Sequence, residues 1–378
     1  MTSDSDGSGY FLYHSIGQYP GKARELAAAM AEFASVWGRA DGAQWPYVLG
    51  RRQRFIDRWR AILNAPEGTT TTAESVTAAV HAFVTAFPSR LSGRRVLVAA
   101  DCFPSVHFLL AGLAPRMGFT LDTVPLRPGA DWVEDEDVLA RWDGDVALAL
   151  LTWVSSTSSH RIGLGPLVAH GRAMGSLIGV DITQGAGLIP FDVADPAVDF
   201  AVSTSLKWMC GTPGAGILYV APGLIAAADP EMHGWFSQPD PFSWALDRFS
   251  LAPDARRFDA GTPGAVAALA SLPALDWHAG ADRAAILAAN RALSARLIAL
   301  ADGLRLPLAS PRDPEARGGS VMFRLPGSAP APAVVAALAA AGLHADARGP
   351  ILRLSPGVMT TAEGVARLET ALAAALRG

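Results

Sequence analysis

The sequence predicts an α/β protein with a large, mainly parallel sheet and a smaller C-terminal α/β unit, and three observations carry that expectation. Short apolar runs bounded by Gly, Asp or Pro recur between residues 94 and 221, the pattern of strands buried on both faces. Helical patterns lie between several of these runs, and strand alternating with helix implies parallel pairing with helices covering both sides of the sheet. Beyond residue 282 a long helical stretch gives way to a second, shorter alternation of strand and helix.

In chain order, AESVTAAVHAFVTAF (73–87) reads as a helix and RRVLVAA (94–100) as the first strand of the apolar series. The helix PSVHFLLAGLAPRMG (104–118) leads to the strands TLDTVPL (120–126) and DVALALLTWV (145–154). The helix GPLVAHGRAMG (165–175) precedes SLIGVDI (176–182), DFAVSTS (199–205) and GILYVA (216–221). Residues 222–262 break this rhythm; HGWFSQPDPFSW is too aromatic for a plain linker and is expected to line a pocket or an interface. RAAILAANRALSARLIALADGL (283–304) is a helix long enough to bridge two domains. The strand SVMFRLP (320–326), helix APAVVAALAAAG (331–342), strand ILRLS (351–355) and helix TAEGVARLETALAAAL (361–376) then form the small unit. We expect an N-terminal arm and helix packing on the small domain over 1–45, a large domain over 46–270, and a linking helix with the small domain over 271–378.

Composition narrows the function. A chain of 378 residues exceeds one ordinary core at about 150 residues per domain. A net charge of −4 provides no basic field for a phosphate backbone, so small molecules rather than nucleic acids are the expected partners. Cys102 and Cys210 make neither a disulfide framework nor a metal-ligand pair, and the eight histidines lack zinc-ligand spacing. The N-terminal MTSDSDGSGYFLYHSIG lacks the basic start and apolar core of a signal peptide, and no run approaches the roughly 18 apolar residues of a membrane span. A cytoplasmic protein without membrane contact is expected.

The chain's lysines are Lys22 and Lys207, although arginine is abundant. Arginine serves wherever a positive charge suffices, but not where a group must lose its proton. Lys207 directly follows DFAVSTS, and Leu206, Trp208 and Met209 would desolvate its amine, lower its pKa and make it a nucleophile for an aldehyde cofactor. A lysine with its stem on apolar surface and its head in water would look the same in isolation. Asp181 ends the strand SLIGVDI, 26 residues before Lys207 with one further strand between, which sets both at adjacent strand ends. There a carboxylate can keep a pyridinium nitrogen protonated, although a lone Asp near Gly is also a common turn residue.

Ligands of open parallel sheets sit beyond the carboxyl ends of the strands, so the neighbouring positions complete the candidate site. EGTTTTAESVTAAV is a hydroxyl-rich turn entering a helix, and Thr72, Ala73, Glu74 and Ser75 at that entry suit a phosphate or a plain helix cap. Phe103, after RRVLVAA, suits stacking on a flat ring or simple core packing. Arg353, a cation on the apolar strand ILRLS, suits bidentate capture of a carboxylate or a surface ion pair.

Together these residues resemble the pyridoxal-phosphate enzymes of aminotransferase class V, over nearly the whole chain, and within them the kynureninase branch. Asp181, Gln184 and Lys207 match the D-x-x-Q plus lysine signature. RRFDAGTPG (256–264) is similar to the loop whose threonine, Thr262 here, reaches the cofactor phosphate of a neighbouring subunit. VWGRADGAQWP with Trp37 and Trp45, CFPS with Phe103, HGWF with Trp235, and DARGPILRL with Arg353 and Arg348 resemble kynureninase segments. Leu206, Gln184 and Val106 depart from the Tyr, His and Asp usual in that branch, and KWMCGTPGAG is closer to the epimerase-like members.

The resemblance implies a pyridoxal-phosphate transferase fold of type I with a seven-stranded sheet, a homodimer with shared active sites, and pyridoxal 5′-phosphate as cofactor. It implies cofactor contacts at Lys207, Asp181, Gln184, Phe103, Thr72, Ala73, Glu74, Ser75, Ser155, Thr204, Trp235 and Thr262, catalysis by Lys207 and Asp181, and substrate contacts at Arg353 and Trp45. The implied activity is kynureninase-like cleavage of an amino acid at the β-carbon, with transamination or epimerisation as alternatives. Cysteine desulfurase chemistry needs a mobile cysteine late in the chain, and none follows Cys210. A silent relative binding a ligand through the aromatic loop 234–244 is the reading from another class, against which the intact Lys207, Asp181 and Arg353 speak.

Overall fold

The protein is described by a computed structural model over residues 7–377. Its large sheet contains β1 (Thr70–Ala73), β2 (Arg95–Ala99), β3 (Thr120–Val124), β4 (Val146–Thr152), β5 (Leu177–Asp181), β6 (Phe200–Thr204) and β7 (Gly216–Val220) in the order β1-β7-β6-β5-β4-β2-β3. The pairs among β2 to β6 are parallel, while β7 runs antiparallel to both β6 and β1. The carboxyl ends of β1 and β2 through β6 therefore share one edge of the sheet.

Both faces are covered, which is why β5, β6 and β7 are buried along their whole length. On one face α3 (Val76–Thr85) and α5 (Pro104–Met117) pack Phe83 and Leu110 onto Phe200 and Leu148. On the other, α2 (Gln44–Leu63), α7 (Leu164–Met174) and α9 (Ala265–Gly280) bring Trp59, Leu167 and Leu272 against Ile178 and Ile217. Gly179 makes this layering possible: a Cβ there would come within 2.1 Å of the Phe200 ring, which instead stacks on Phe83 with centroids 3.8 Å apart. The short helices α4 (Pro88–Leu91), α6 (Asp135–Arg141) and α8 (Pro222–Ile225) fill the connections, and α1 (Lys22–Trp37) is the first described helix of the chain.

The small unit is an antiparallel sheet, β8-β10-β9, of Val321–Arg324, Ile351–Leu354 and Asp346–Arg348. Helices Arg283–Gly303, Ala331–Ala340 and Ala362–Ala375 close its core around Leu297, Phe323, Leu338 and Leu368, and Phe11 from the N-terminal segment joins them. The helix Arg283–Gly303 is long and apolar enough to cross a membrane, yet its Leu293, Leu297 and Leu300 stripe is buried against this sheet, the packing of a core helix.

Four features differ from the sequence reading. Thr70–Ala73, expected as part of a turn, is an edge strand registered on β7, and the helix behind it starts at Val76 rather than at Ala73. The helix Gln44–Leu63 was hidden because Arg52 occupies one of its buried positions and interrupts the apolar stripe of Val48, Phe55, Ile56, Trp59 and Leu63. The helix Ala265–Gly280 was hidden by Pro273 within it. The strand Asp346–Arg348 is too short and polar for its pattern to register.

Candidate active site

The shared strand edge arranges the candidate residues in a row. Register pairs Thr204 with Gly216 and Gly216 with Ala73, so the β6 end and the entry to α3 flank one glycine. A Cβ at Gly216 would lie 2.9 Å from the Ser203 carbonyl and 3.0 Å from that of Ala73. Asp181 ends β5, Ser155 follows β4, Phe103 follows β2, and Lys207 follows β6.

Lys207 is partly buried, and its amine lies 5.1 Å from the Phe103 ring centroid. Burial lowers its pKa to about 8; the Asp181 carboxylate opposes that shift and the Arg353 charge adds to it. Among the described residues the amine donates to no protein acceptor. Asp181 is 7 % exposed and accepts from the Thr183 N–H at 3.0 Å. Burial raises its pKa, against the Thr183 hydrogen bonds and the Lys207 charge. An amine able to shed its proton, a carboxylate at the next strand end and the face of Phe103, which is 43 % exposed, together fit a flat aldehyde such as pyridoxal 5′-phosphate.

The phosphate end also fits. Ser75 is the N-cap of α3, its Oγ accepting from the Ala78 N–H at 3.1 Å, and a helix entry leaves backbone donors free for an anion. Thr72, Ala73, Glu74, Ser75 and Thr262 line one groove of about 1210 Å³, together with Trp45. Below it, Arg52 donates to Thr72 Oγ1 (2.9 Å), Thr71 Oγ1 (2.8 Å) and Asp259 Oδ1 (2.7 Å), tying α2 to β1 and to the loop carrying Thr262. Thr72 is thus already a hydrogen-bond partner of Arg52. Trp45 meets Trp235 edge-to-face at 5.7 Å, and Trp37 meets Trp45 at 6.5 Å, so the expected aromatic residues form one wall.

Arg353 is buried at 6 % exposure and faces the site, but its guanidinium is not free. Its Nε donates to Asp346 Oδ1 at 2.9 Å, Nη2 to Asp346 Oδ2 at 2.5 Å and Nη1 to the Ser156 carbonyl at 3.0 Å. Three of its five N–H groups are used, leaving two for a ligand. Arg348 is exposed, lies 3.4 Å from the same aspartate, and donates to the Ala347 carbonyl. The Gln184 amide donates to the His14 carbonyl at 3.0 Å and accepts from Trp208 Nε1 at 3.2 Å, which fixes it to the N-terminal segment. Ser155 Oγ is 3.1 Å from Thr157 Oγ1, within the turn that supplies the Ser156 carbonyl.

Sequence reasoning missed His14 and Asp346. His14 carries no motif. Asp346 had a readable signal, because in the hairpin around Gly349 and Pro350 it is the direct cross-strand partner of Arg353.

The aminotransferase class-V profile matches residues 59–367. The chain is 33% identical to a kynureninase of Deinococcus radiodurans over 70% of its own length and 63% of that protein. It is 30% identical to isopenicillin N epimerase of Streptomyces clavuligerus, over 79% and 78% of the two chains. Its fold matches the apo structure of cysteine desulfurase from Thermococcus onnurineus with a TM-score of 0.85 at 18% identity, covering 98% and 94% of the two chains. The chain belongs to the aminotransferase class-V family, which indicates pyridoxal 5′-phosphate as its cofactor.

Proposed function

We propose that the protein cleaves an amino acid at its β-carbon in the manner of a kynureninase. The observation that carries the reading is the Lys207 amine, brought to a pKa of about 8, beside the Phe103 face and within the influence of both Asp181 and Arg353. The identity to curated kynureninases favours β-carbon cleavage over the family's other reactions.

When bound, pyridoxal phosphate supplies an electron sink for negative charge at the substrate α-carbon. Lys207 would hold the cofactor, and its Nζ would take the α-proton of the substrate. Asp181 would keep the ring nitrogen protonated by its charge, and burial would strengthen that interaction because little solvent screens it. The two unused N–H groups of Arg353 receive the α-carboxylate, which fixes the Cα–H bond toward Lys207. The Trp45 and Trp235 wall suits an aromatic side chain on the substrate.

Incubating the holoenzyme with kynurenine and hydroxykynurenine should yield anthranilate products and alanine, and their absence sinks the β-cleavage reading. A second reading, return of the proton to the α-carbon as an epimerase, is favoured by the 30% identity to isopenicillin N epimerase and by Leu206, which offers no hydroxyl beside Lys207. Solvent deuterium entering the α-position of a substrate that is recovered uncleaved would select it.

A further inference from the structure

The N-terminal segment crosses the site and delivers a buried histidine to the residue behind Arg353. Its backbone joins the small sheet, Phe11 donating to the His344 carbonyl at 2.9 Å and Ser355 donating to the Phe11 carbonyl at 2.8 Å. It also joins the lysine loop, Gly17 donating to the Leu206 carbonyl at 2.9 Å. Between these anchors, His14 is 2 % exposed, with Nε2 2.9 Å from Asp346 Oδ1 and Nδ1 2.6 Å from Ser355 Oγ. Ser355 Oγ is in turn 2.6 Å from Ser320 Oγ.

The proton positions follow from the partners. Burial would raise the Asp346 carboxyl, but hydrogen bonds from His14 and Arg353 and the Arg353 charge hold it well below the usual carboxylate range. Asp346 is therefore an ionised acceptor. Burial lowers the His14 pKa against the Asp346 hydrogen bond and charge, and the charges of Arg353 and Lys207 lower it further. A neutral His14 thus carries its proton on Nε2 and donates it to Asp346, while Nδ1 accepts from Ser355, whose oxygen accepts from Ser320. Ser355 has no exposed surface, so this serine–histidine–aspartate succession presents no nucleophile to a substrate. Its side chains reach the site through Asp346 and Arg353.

We propose that His14 is a positioning residue that aims Arg353 at the carboxylate of the amino-acid substrate, by holding Asp346 against one edge of the guanidinium. The inference rests on the cofactor and substrate assignments made above. Asp346 has two oxygens and binds both, one to Nη2 and one shared between Nε of Arg353 and Nε2 of His14. Without the histidine donor the carboxylate keeps its two bonds to Arg353 but loses the one that ties it to the N-terminal segment, so carboxylate and guanidinium can turn together and the guanidinium loses its fixed direction. Its two remaining N–H groups then no longer converge on one point.

The test compares alanine with alaninamide as ligands of the holoenzyme, following the visible spectrum at equilibrium. The ratio of the two dissociation constants reads recognition of the carboxylate alone, because general damage weakens both ligands together. His14→Phe, which keeps a ring without a donor, should lower the acid-over-amide preference about tenfold, the size of one lost charge-assisted hydrogen bond. His14→Gln, which can still donate to Asp346, should keep most of it. Ser355→Ala removes the hydroxyl that fixes the ring and leaves the residues facing the ligand intact; it should lower the ratio about threefold, and it serves as the deciding variant if His14→Phe does not fold. Equal weakening of both ligands, or an unchanged ratio in His14→Phe or in Ser355→Ala, overturns the inference. A protein that takes up pyridoxal phosphate yet shows an unchanged ratio loses this inference alone; one that never develops visible absorbance loses the functional reading first.

Discussion

At the scale of single residues, the chemistry turns on whether the amine of Lys207 is charged. Below its pKa of about 8 it is protonated and unreactive toward an aldehyde; above it the lone pair is free. The rate at which apoprotein takes up pyridoxal phosphate should therefore rise as pH is raised through about 8 and level off above it, as visible absorbance in stopped flow would show. A rate that keeps climbing toward the pKa of an ordinary lysine, about 10.4, would mean that the amine is not desolvated as described. Lys207→Ala should neither develop the visible band nor acquire mass on the peptide spanning 207 after borohydride reduction. Lys207 was legible in the sequence because lysine alone among the strong cations can lose its proton, in a chain that otherwise prefers arginine. The state of Arg353 was not legible: its pairing with Asp346 depends on the register of a hairpin whose first strand is three residues long. Lys22 also has a place, donating to the Gly17 carbonyl at 2.7 Å and the Gly211 carbonyl at 3.3 Å, so it clamps the N-terminal segment to the lysine loop.

At the scale of elements, the strands of the parallel sheet were readable because each is a short apolar run with punctuation at both ends, and burial on both faces demands that composition. Some of the elements that escaped contain a residue serving another element. Arg52 is the clearest case: it sits on the buried face of α2 to satisfy Thr71, Thr72 and Asp259, two of which were assigned to a turn. Asp259 is buried, its Oδ2 has no hydrogen-bond partner, and Arg52 is its counter-charge at 2.7 Å. Removing one member of a buried pair strands the other, so Arg52→Leu should cost about 3–5 kcal/mol in urea unfolding. Pairing it with Asp259→Asn should recover part of that loss, since no bare charge is then left inside. The same substitution removes the Arg52 link between α2 and the loop of Thr262 and leaves the Thr71 hydroxyl, 2.7 Å from Asp259 Oδ1, to hold that loop to β1, so Arg52→Leu should also release pyridoxal phosphate faster on dialysis. A stability change of less than about 1 kcal/mol would mean that water already screens this pair.

At the scale of the whole molecule, the phosphate end of the site opens onto a wide groove. The groove of about 1210 Å³ that holds Ser75 and Thr262 is far wider than a phosphate needs. Its neighbourhood exposes large apolar side chains, Trp37 at 46 %, Met232 at 60 % and Val266 at 44 %, a surface that a second chain would cover. The family resemblance assigns Thr262 to the neighbouring subunit's phosphate, whereas within one chain Thr262 lines the same groove as that chain's own Ser75. Mixing two defective variants separates these arrangements. In a dimer of one Lys207→Ala chain and one Thr262→Ala chain, sharing across the interface leaves one site with an intact lysine and an intact threonine from the partner. If each chain serves itself, both sites remain damaged. We expect sharing, so after dissociation and reassociation the mixture should retain more pyridoxal phosphate on dialysis, and more borohydride-stable label on Lys207, than the two variants reassociated separately. No gain in the mixture would assign Thr262 to its own chain's phosphate and leave the wide groove to a substrate rather than to a second subunit.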